Sequence, residues 1–425
     1  MKDIYEIRDP IHQLIRHNVL ERELINSQPF QRLRRIKQLA FTDVVYPGAT
    51  HTRFLHSLGV MHLSGVAYSA LVEKHGQLLK DRGWTQPKLK RVRTLLRLSA
   101  LLHDLGHPPF SHTAEPLFPD KPNGQGKYEH EDYSRAIIVS QPIREILDRY
   151  AEETEVTAEN IADFLSPGCD GEYRFWRQIL IGDLDVDRMD YLNRDSHFCG
   201  VTYGLIDHHR ILSTMSLKDD GEQLSLAIEE GGLNSAEGLI HARYWMFIQV
   251  YFHKTRRAYD ILLSEFLRDI LPRGLFPSPD DLGSYLEWDD FKLIQEIQGK
   301  SRVHPAAMAM VTRSHYRLVH STTDYPSAKE VVEFYEIRDQ IRNGFFGGDE
   351  SVFRLDEAWK APHNFSRVSF FVKGDTSGEF VPIDKASPVI KGLGPILKLR
   401  LYVRPNEKLD EIRKFVRKTV KQWYK

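Results

Sequence analysis

The sequence predicts a mainly α-helical protein with a smaller mixed α+β lobe at its C-terminal end. Three observations predict it. Apolar residues recur at helical spacing from Leu20 to about Leu267. Beyond about Pro272, proline and glycine punctuate the helices more densely. Two runs near the end, 368–372 and 397–403, carry strand-forming residues. A chain of 425 residues exceeds what one core usually holds. We therefore expect two lobes, residues 1–270 and 271–425.

Asp9-Pro10-Ile11-His12 reads as extended or turn, because proline biases its predecessor away from the helix. Residues 20–39 form a helix in pattern, with Leu24, Phe30, Leu33, Ile36 and Leu39 inside and Arg32, Arg34, Arg35 and Lys37 lending basic character. Pro29 fits better near a helix start than inside one. Tyr46-Pro47-Gly48 is a turn leading into a second helix that runs to about Lys74. The third helix, 91–106, aligns Leu95, Leu98, Leu102 and Leu105, and Gly106 with Pro108-Pro109 ends it. Ser111 is a candidate N-cap for a short helix carrying His112 and Glu115. Helices over 131–150, 157–165 and 175–180 follow, then an acidic helical segment, 183–195. A hairpin strand at 224–228 precedes a long helix over 234–267. An amphipathic helix over 410–424 closes the chain, with Arg413, Lys414, Arg417, Lys418 and Lys421 on its polar side.

The formal net charge of -1 gives no global pull toward nucleic acid or membranes. Cys169 and Cys199 are too few for a disulfide framework and read as free thiols of a reducing cytoplasm. The first residues lack the apolar core of a signal peptide, and no run of about 18 apolar residues is present.

The chemistry concentrates in His103-Asp104-Leu105-Gly106-His107-Pro108-Pro109-Phe110-Ser111-His112, at the end of an apolar helix. Buried imidazole and carboxylate side by side are costly unless something satisfies them. His56, His103, Asp104 and Asp187 together give two imidazoles and two carboxylates. This mixed set suits Mn, Fe, Co, Ni or Mg better than a closed thiolate zinc site. Such an ion lowers the pKa of bound water and polarises a phosphoryl oxygen. Asp187, Tyr191 and Asp195 repeat every four residues, on one helix face.

These residues resemble the H…HD…D signature of the HD-domain phosphohydrolases. The resemblance is closer to the dNTP triphosphohydrolases, which include bacterial dGTPases and the vertebrate sterile-alpha-motif/HD restriction factor. It rests on Asp9-Pro10-Ile11-His12, the stretch from Phe30 to Leu39, Tyr46-Pro47-Gly48-Ala49, Arg53 to Val60, His103 to His112, and Asp185 to Asp195. It covers roughly residues 1–270. It implies a helical HD-domain core and hydrolysis of a dNTP to deoxynucleoside and inorganic triphosphate. His56, His103, Asp104 and Asp187 match the metal ligands. His112 and Glu115 match an acid/base dyad, and His107 and His130 match further active-site histidines. Arg53, Arg188 and Arg243 match triphosphate-binding positions, where a further Mg ion would accompany the phosphates. Gln38 and Asp195 match contacts to the sugar 3′-hydroxyl, Leu39 the residue that excludes a 2′-hydroxyl, and Tyr191 and Tyr251 the pocket's aromatic walls.

The resemblance also implies a homo-oligomer, with a tetramer favoured, and an allosteric nucleotide. There the sequence departs: Asn26 stands where activated members carry a guanine-reading aspartate, while Gln31 and Arg34 keep the pattern. Arg188 replaces a lysine of the vertebrate form, keeping charge but changing geometry. No sterile-alpha-motif domain fits before Asp9. Two other readings compete: an HD phosphohydrolase of monophosphates, alarmones or cyclic dinucleotides, and a nucleic-acid-binding regulator using Arg32, Arg34, Arg35 and the closing helix.

Overall fold

Helix Arg53–Asp81 runs through the core and packs against Gln86–Leu102 and Val186–Cys199. These three helices position the site. The computed structural model describes the chain except residues 1–3, 123, 170, 350, 362–369 and 424–425, and only the backbone of 421–423. By length and composition helix Arg53–Asp81 could cross a membrane, yet 67% of its most apolar window is buried inside the protein. Leu58, Val60, Met61 and Leu71 there are fully buried. Cys199 is a buried free thiol.

Helical content is as expected, but several continuous helices are broken. The predicted 20–39 helix divides into Val19–Asn26, Gln28–Arg32 and a 3-10 turn, Leu33–Arg35. Ser27 is extended at the break and Pro29 sits in the first turn beyond it, where its missing N–H costs nothing. The predicted 131–150 helix is likewise His130–Val139 and Ile143–Thr154, parted before Pro142. The predicted 234–267 helix is Leu233–Met246, a wide π turn Phe247–Tyr251, and Lys254–Ile270. Ser111 is not an N-cap. It begins a 3-10 turn, Ser111–Thr113, after left-handed Phe110, and its hydroxyl donates to Lys37 O at 2.8 Å.

Among the described residues, three small sheets complete the fold. Tyr5–Asp9 and Gln13–His17 pair antiparallel around the predicted turn. The second sheet runs in the order Met215–Asp219, Leu224–Glu229, Phe371–Lys373, Phe380–Pro382, its middle pair parallel. Of the predicted 368–372 strand, 368 and 369 lie outside the described residues. The C-terminal chain thus returns to the N-terminal region, and Phe370, Val372, Ile383 and Ile390 bury in its core. In the third sheet Ile396–Val403 lies between Arg317–Ser321 and Phe353–Lys360, a strand the sequence did not suggest. The closing helix is Leu409–Trp423, with Ile412 and Val416 buried. The side chain of Lys421 lies outside the described set.

One contact ties the loop bearing the histidines to the helix Asp290–Lys300. Buried Asp290 accepts from Phe110 N–H at 2.7 Å and Lys37 N–H at 2.8 Å. We expect Asp290→Ala to lower stability by about 2–4 kcal/mol, because two buried donors lose their acceptor. Asp290→Asn should lose less, since its amide oxygen still accepts. Burial pushes the Asp290 carboxyl from 3.8 up to about 7. The folded state then binds more protons than the unfolded one, so this group's contribution falls as pH rises across that window. Urea unfolding at pH 5 and pH 8 checks both points, and Asp290→Asn should flatten that slope.

Candidate active site

Helix Arg53–Asp81 supplies Arg53 and His56 in its first turn. Helix Gln86–Leu102 ends on His103, and Asp104 follows in the turn. Helix Val186–Cys199, capped by the Asp185 side chain, supplies Asp187 from its own first turn. His56 Nε2 lies 2.9 Å from Asp187 Oδ1 and 3.7 Å from Asp104 Oδ2. His103 Nε2 lies 3.3 Å from Asp104 Oδ1 and 3.6 Å from Asp187 Oδ1. Donors bound to one ion at about 2.1 Å stand about 3.0 Å apart at right angles and about 3.4 Å apart tetrahedrally. His56 Nε2, His103 Nε2 and Asp187 Oδ1 lie close enough together to hold one ion, and buried His103 Nε2 has no hydrogen-bond partner. These three residues therefore fit a divalent ion, with Asp104 beside them, its Oδ2 bonded to Arg53.

The ring atoms behind the ligands are fixed. His103 Nδ1 donates to Ala100 O at 2.8 Å, leaving Nε2 for an ion. His56 Nδ1 faces Asp190 Oδ2 at 2.8 Å. Asp190 also receives His12 Nε2 at 2.7 Å and Arg194 Nε at 2.9 Å, and Arg194 Nη1 reaches Asp9 at 2.8 Å. Gly59 makes room for this: a Cβ there would lie 1.8 Å from Asp190 Oδ1. The sequence alone assigns these residues no role. The usable signal was Asp190 and Arg194, opposite charges four apart in a segment read as helix.

Burial alone would lower the His56 imidazole, but Asp187 and Asp190 outweigh it and lift it to about 10. A metal ligand must be neutral, so the ion replaces a proton. At pH 8, between 6.5 and 10, we expect metal binding to release about one proton from His56. Calorimetry in buffers of different ionisation enthalpy reads this directly, and affinity should rise with pH across the window.

Beside the metal cluster, the Glu115 carboxylate holds His112 Nδ1 at 2.8 Å and His130 Nδ1 at 2.5 Å. Burial opposes ionisation of Glu115, yet the two imidazoles hold it well below its usual range. Burial would also lower His130, but Glu115 lifts it to about 9. His107 stacks on His130 with centroids 3.7 Å apart, and burial, with Arg53 and His130 near, keeps it neutral. Gly106 permits the approach, since a Cβ there would meet His130 O at 2.1 Å. The His112 side chain is the exposed member, at 63%.

All sixteen site residues expected from the sequence meet except Glu115 at the wall of one cavity of about 940 Å³, and Glu115 is bonded to two that do. Arg53 donates to Asp104 at 2.6 Å and to Ser111 at 2.8 Å. Arg188 pairs with Asp183 at 2.8 Å. Arg243 donates to Ala361 O at 3.2 Å. Gln38 follows the helix break, and its Oε1 is buried without a partner. Asp195 accepts from Tyr251 at 2.6 Å and lies 2.8 Å from His51 Nε2. Away from this cavity, Arg34 bonds Gln31 at 2.9 Å and lies over Phe54, while Asn26 is exposed.

A helical core that gathers two histidines and an aspartate about one point, with a second aspartate adjacent, defines the class of the metal-dependent HD phosphohydrolases. The HD domain matches residues 53–195, and the HD-associated region matches 206–342. The chain belongs to the HD-domain family, as an HD domain followed by its associated region. It is 35% identical over 385 residues to the uncharacterized protein YwfO of Bacillus subtilis, across 85% of this chain and 81% of that one. A crystal structure of a hypothetical protein from Aquifex aeolicus superimposes with a TM-score of 0.80 at 31% identity, covering 97% and 99% of the two chains. The deoxynucleoside triphosphate triphosphohydrolase SAMHD1 homolog of Dictyostelium discoideum is 27% identical over 447 residues, covering 98% and 80%.

Proposed function

We propose that this protein hydrolyses deoxynucleoside triphosphates to deoxynucleoside and inorganic triphosphate, using a divalent ion held by His56, His103, Asp104 and Asp187. The observation that carries the reading is one cavity lined by the metal cluster, by Arg53, Arg188 and Arg243, and by Gln38, Leu39, Tyr191 and Tyr251. A triphosphate needs such cations, and a sugar needs such a polar and apolar wall. The name of the Dictyostelium relative supports the same chemistry.

When bound, the ion would acidify water and polarise the α-phosphoryl oxygen. His112 faces the cavity and can protonate the 5′-oxygen leaving group, while Glu115 orients it. Arg188 and Arg243 would offset phosphate charge. Leu39 would occupy the place of a 2′-hydroxyl, so that a ribonucleotide loses a hydrogen-bonding opportunity and gains a clash. Homo-oligomer formation, with a tetramer favoured, and nucleotide activation belong to the same reading. A cytoplasmic location remains its expectation.

The test is a product assay with metal-loaded protein and each dNTP, alone and mixed. Tripolyphosphate with free deoxynucleoside, both lost in Asp187→Ala, is the expected result. Turnover only in mixtures would show nucleotide activation despite Asn26. No tripolyphosphate with any metal or mixture would withdraw the substrate and leave the metal site standing.

A further inference from the structure

The strand Phe353–Lys360 belongs to the C-terminal lobe, yet it reaches the cavity wall. Asp356 anchors it. That carboxylate is buried and pairs with Arg257 of helix Lys254–Ile270, at 2.9 Å to Nε, and with Arg400 of the neighbouring strand at 3.2 Å. Lys360 lies four residues on, so its side chain leaves the same face of the sheet. The next carbonyl, Ala361 O, accepts from Arg243 at 3.2 Å. Lys360 Nζ and Arg243 Cζ both approach the ring of Phe247, at 5.2 and 5.3 Å from its centroid.

We infer that Lys360 is a further substrate-binding residue, a cation contributed by the C-terminal lobe that binds a phosphate group of the polyphosphate tail beside Arg243. The inference rests on the triphosphate reading of the cavity. Arg188 and Arg243 line the same cavity as Lys360. Glu115, a carboxylate close by, is already engaged by His112 and His130. Like charges gathered on a cavity wall repel one another until an anion enters between them. Burial, with Arg243 and Arg188 alongside, lowers the ammonium from 10.5 to about 8, a cost that a bound phosphate would relieve. The arrangement also gives the C-terminal lobe a part in substrate binding, through a strand held in place by Asp356.

Titration with inorganic tripolyphosphate tests this without turnover, using full-length protein loaded with one equivalent of metal and freed of excess. Wild type should bind. Lys360→Ala should bind about tenfold more weakly, the loss of one charge-assisted hydrogen bond, and Lys360→Arg should stay within about threefold of wild type. Unchanged affinity in folded Lys360→Ala would overturn the inference, and would mean that Lys360 only packs on Phe247. Wild-type protein that binds no tripolyphosphate would overturn it too. If Lys360→Ala weakens tripolyphosphate while no dNTP is hydrolysed, the role of Lys360 stands and the substrate reading falls.

Discussion

Asp187→Ala should remove the metal and the activity together: metal content falls from about one ion per chain to near zero, and kcat falls by at least about a thousandfold. The second figure follows from the chemistry. A bound ion moves the pKa of water from 15.7 to about 7 and offsets several kcal/mol of developing charge. A loss of about 4 kcal/mol is already a thousandfold in rate. Asp187 Oδ1 is the donor that spans the cluster, lying within 3.6 Å of both imidazole nitrogens. Neither neighbouring carboxylate takes its place, because Asp104 is itself one of the four proposed ligands and Asp190 faces the back of His56. The fold should survive, since Asp187 occupies the first turn of its helix and Asp185, not Asp187, caps it. Asp187→Asn is the informative companion. It keeps the shape and one oxygen but loses the charge, so it should hold metal weakly and recover part of its rate at high metal concentration. Metal analysis after dialysis, with unfolding followed in parallel, reads all of this. Full metal retention in Asp187→Ala would move the ion elsewhere.

Why was the metal cluster legible in the sequence when its support was not? His103 and Asp104 are adjacent, and an adjacent pair at the end of an apolar helix stands out without any tertiary knowledge. Asp190 does not stand out. It is one more carboxylate in an acidic segment, and its meaning comes from His12 and Asp9, which are about 180 residues away in sequence. The helix breaks were half-legible. Pro29 and Pro142 mark them, but the periodicity of the flanking apolar residues continues through each break and reads as one helix. The π turn Phe247–Tyr251, which brings Tyr251 to Asp195, leaves no trace in composition.

The strand Phe353–Lys360 was missed for a different physical reason. Period-two reading assumes that the apolar face turns inward. Here Leu355 and Trp359 are 40% and 60% exposed, while Asp356 is buried against two arginines. Leu355 and Trp359 line the cavity instead. The alternation is also broken, because Glu357 shares the face of Leu355 and Trp359 and apolar Ala358 buries on the other.

Arg194→Met should be the most destabilising single change near the site, at about 3–5 kcal/mol. Its side chain is fully buried, as are those of its partners Asp190 and Asp9, apart from 1% of Asp9. Removing Arg194 takes away the guanidinium that bridges Asp9 and Asp190, which costs more than an ordinary ion pair is worth. The size of the loss should depend on pH. Burial alone would raise Asp190; Arg194, with His12 and His56, holds it well below its usual range. In the wild type this depressed group adds stability above pH 3.8, and the contribution disappears as pH falls through and below that value. Without Arg194 the burial effect dominates and the carboxyl takes up a proton at higher pH, which relieves the variant under acid conditions. The gap between wild type and Arg194→Met should therefore be wider at pH 8 than at pH 5, as measured by urea unfolding. The consequence reaches the metal as well. Asp190 orients His56 through Nδ1, and disturbing such a partner typically costs about 10–100-fold in metal affinity. Competition with a chelator would read that loss at low urea, where the variant is still folded. A variant with wild-type stability and weakened metal binding would show that the network serves only the ligand, and one with the reverse result that it serves only the fold. The geometry places both on the same guanidinium, so both should move.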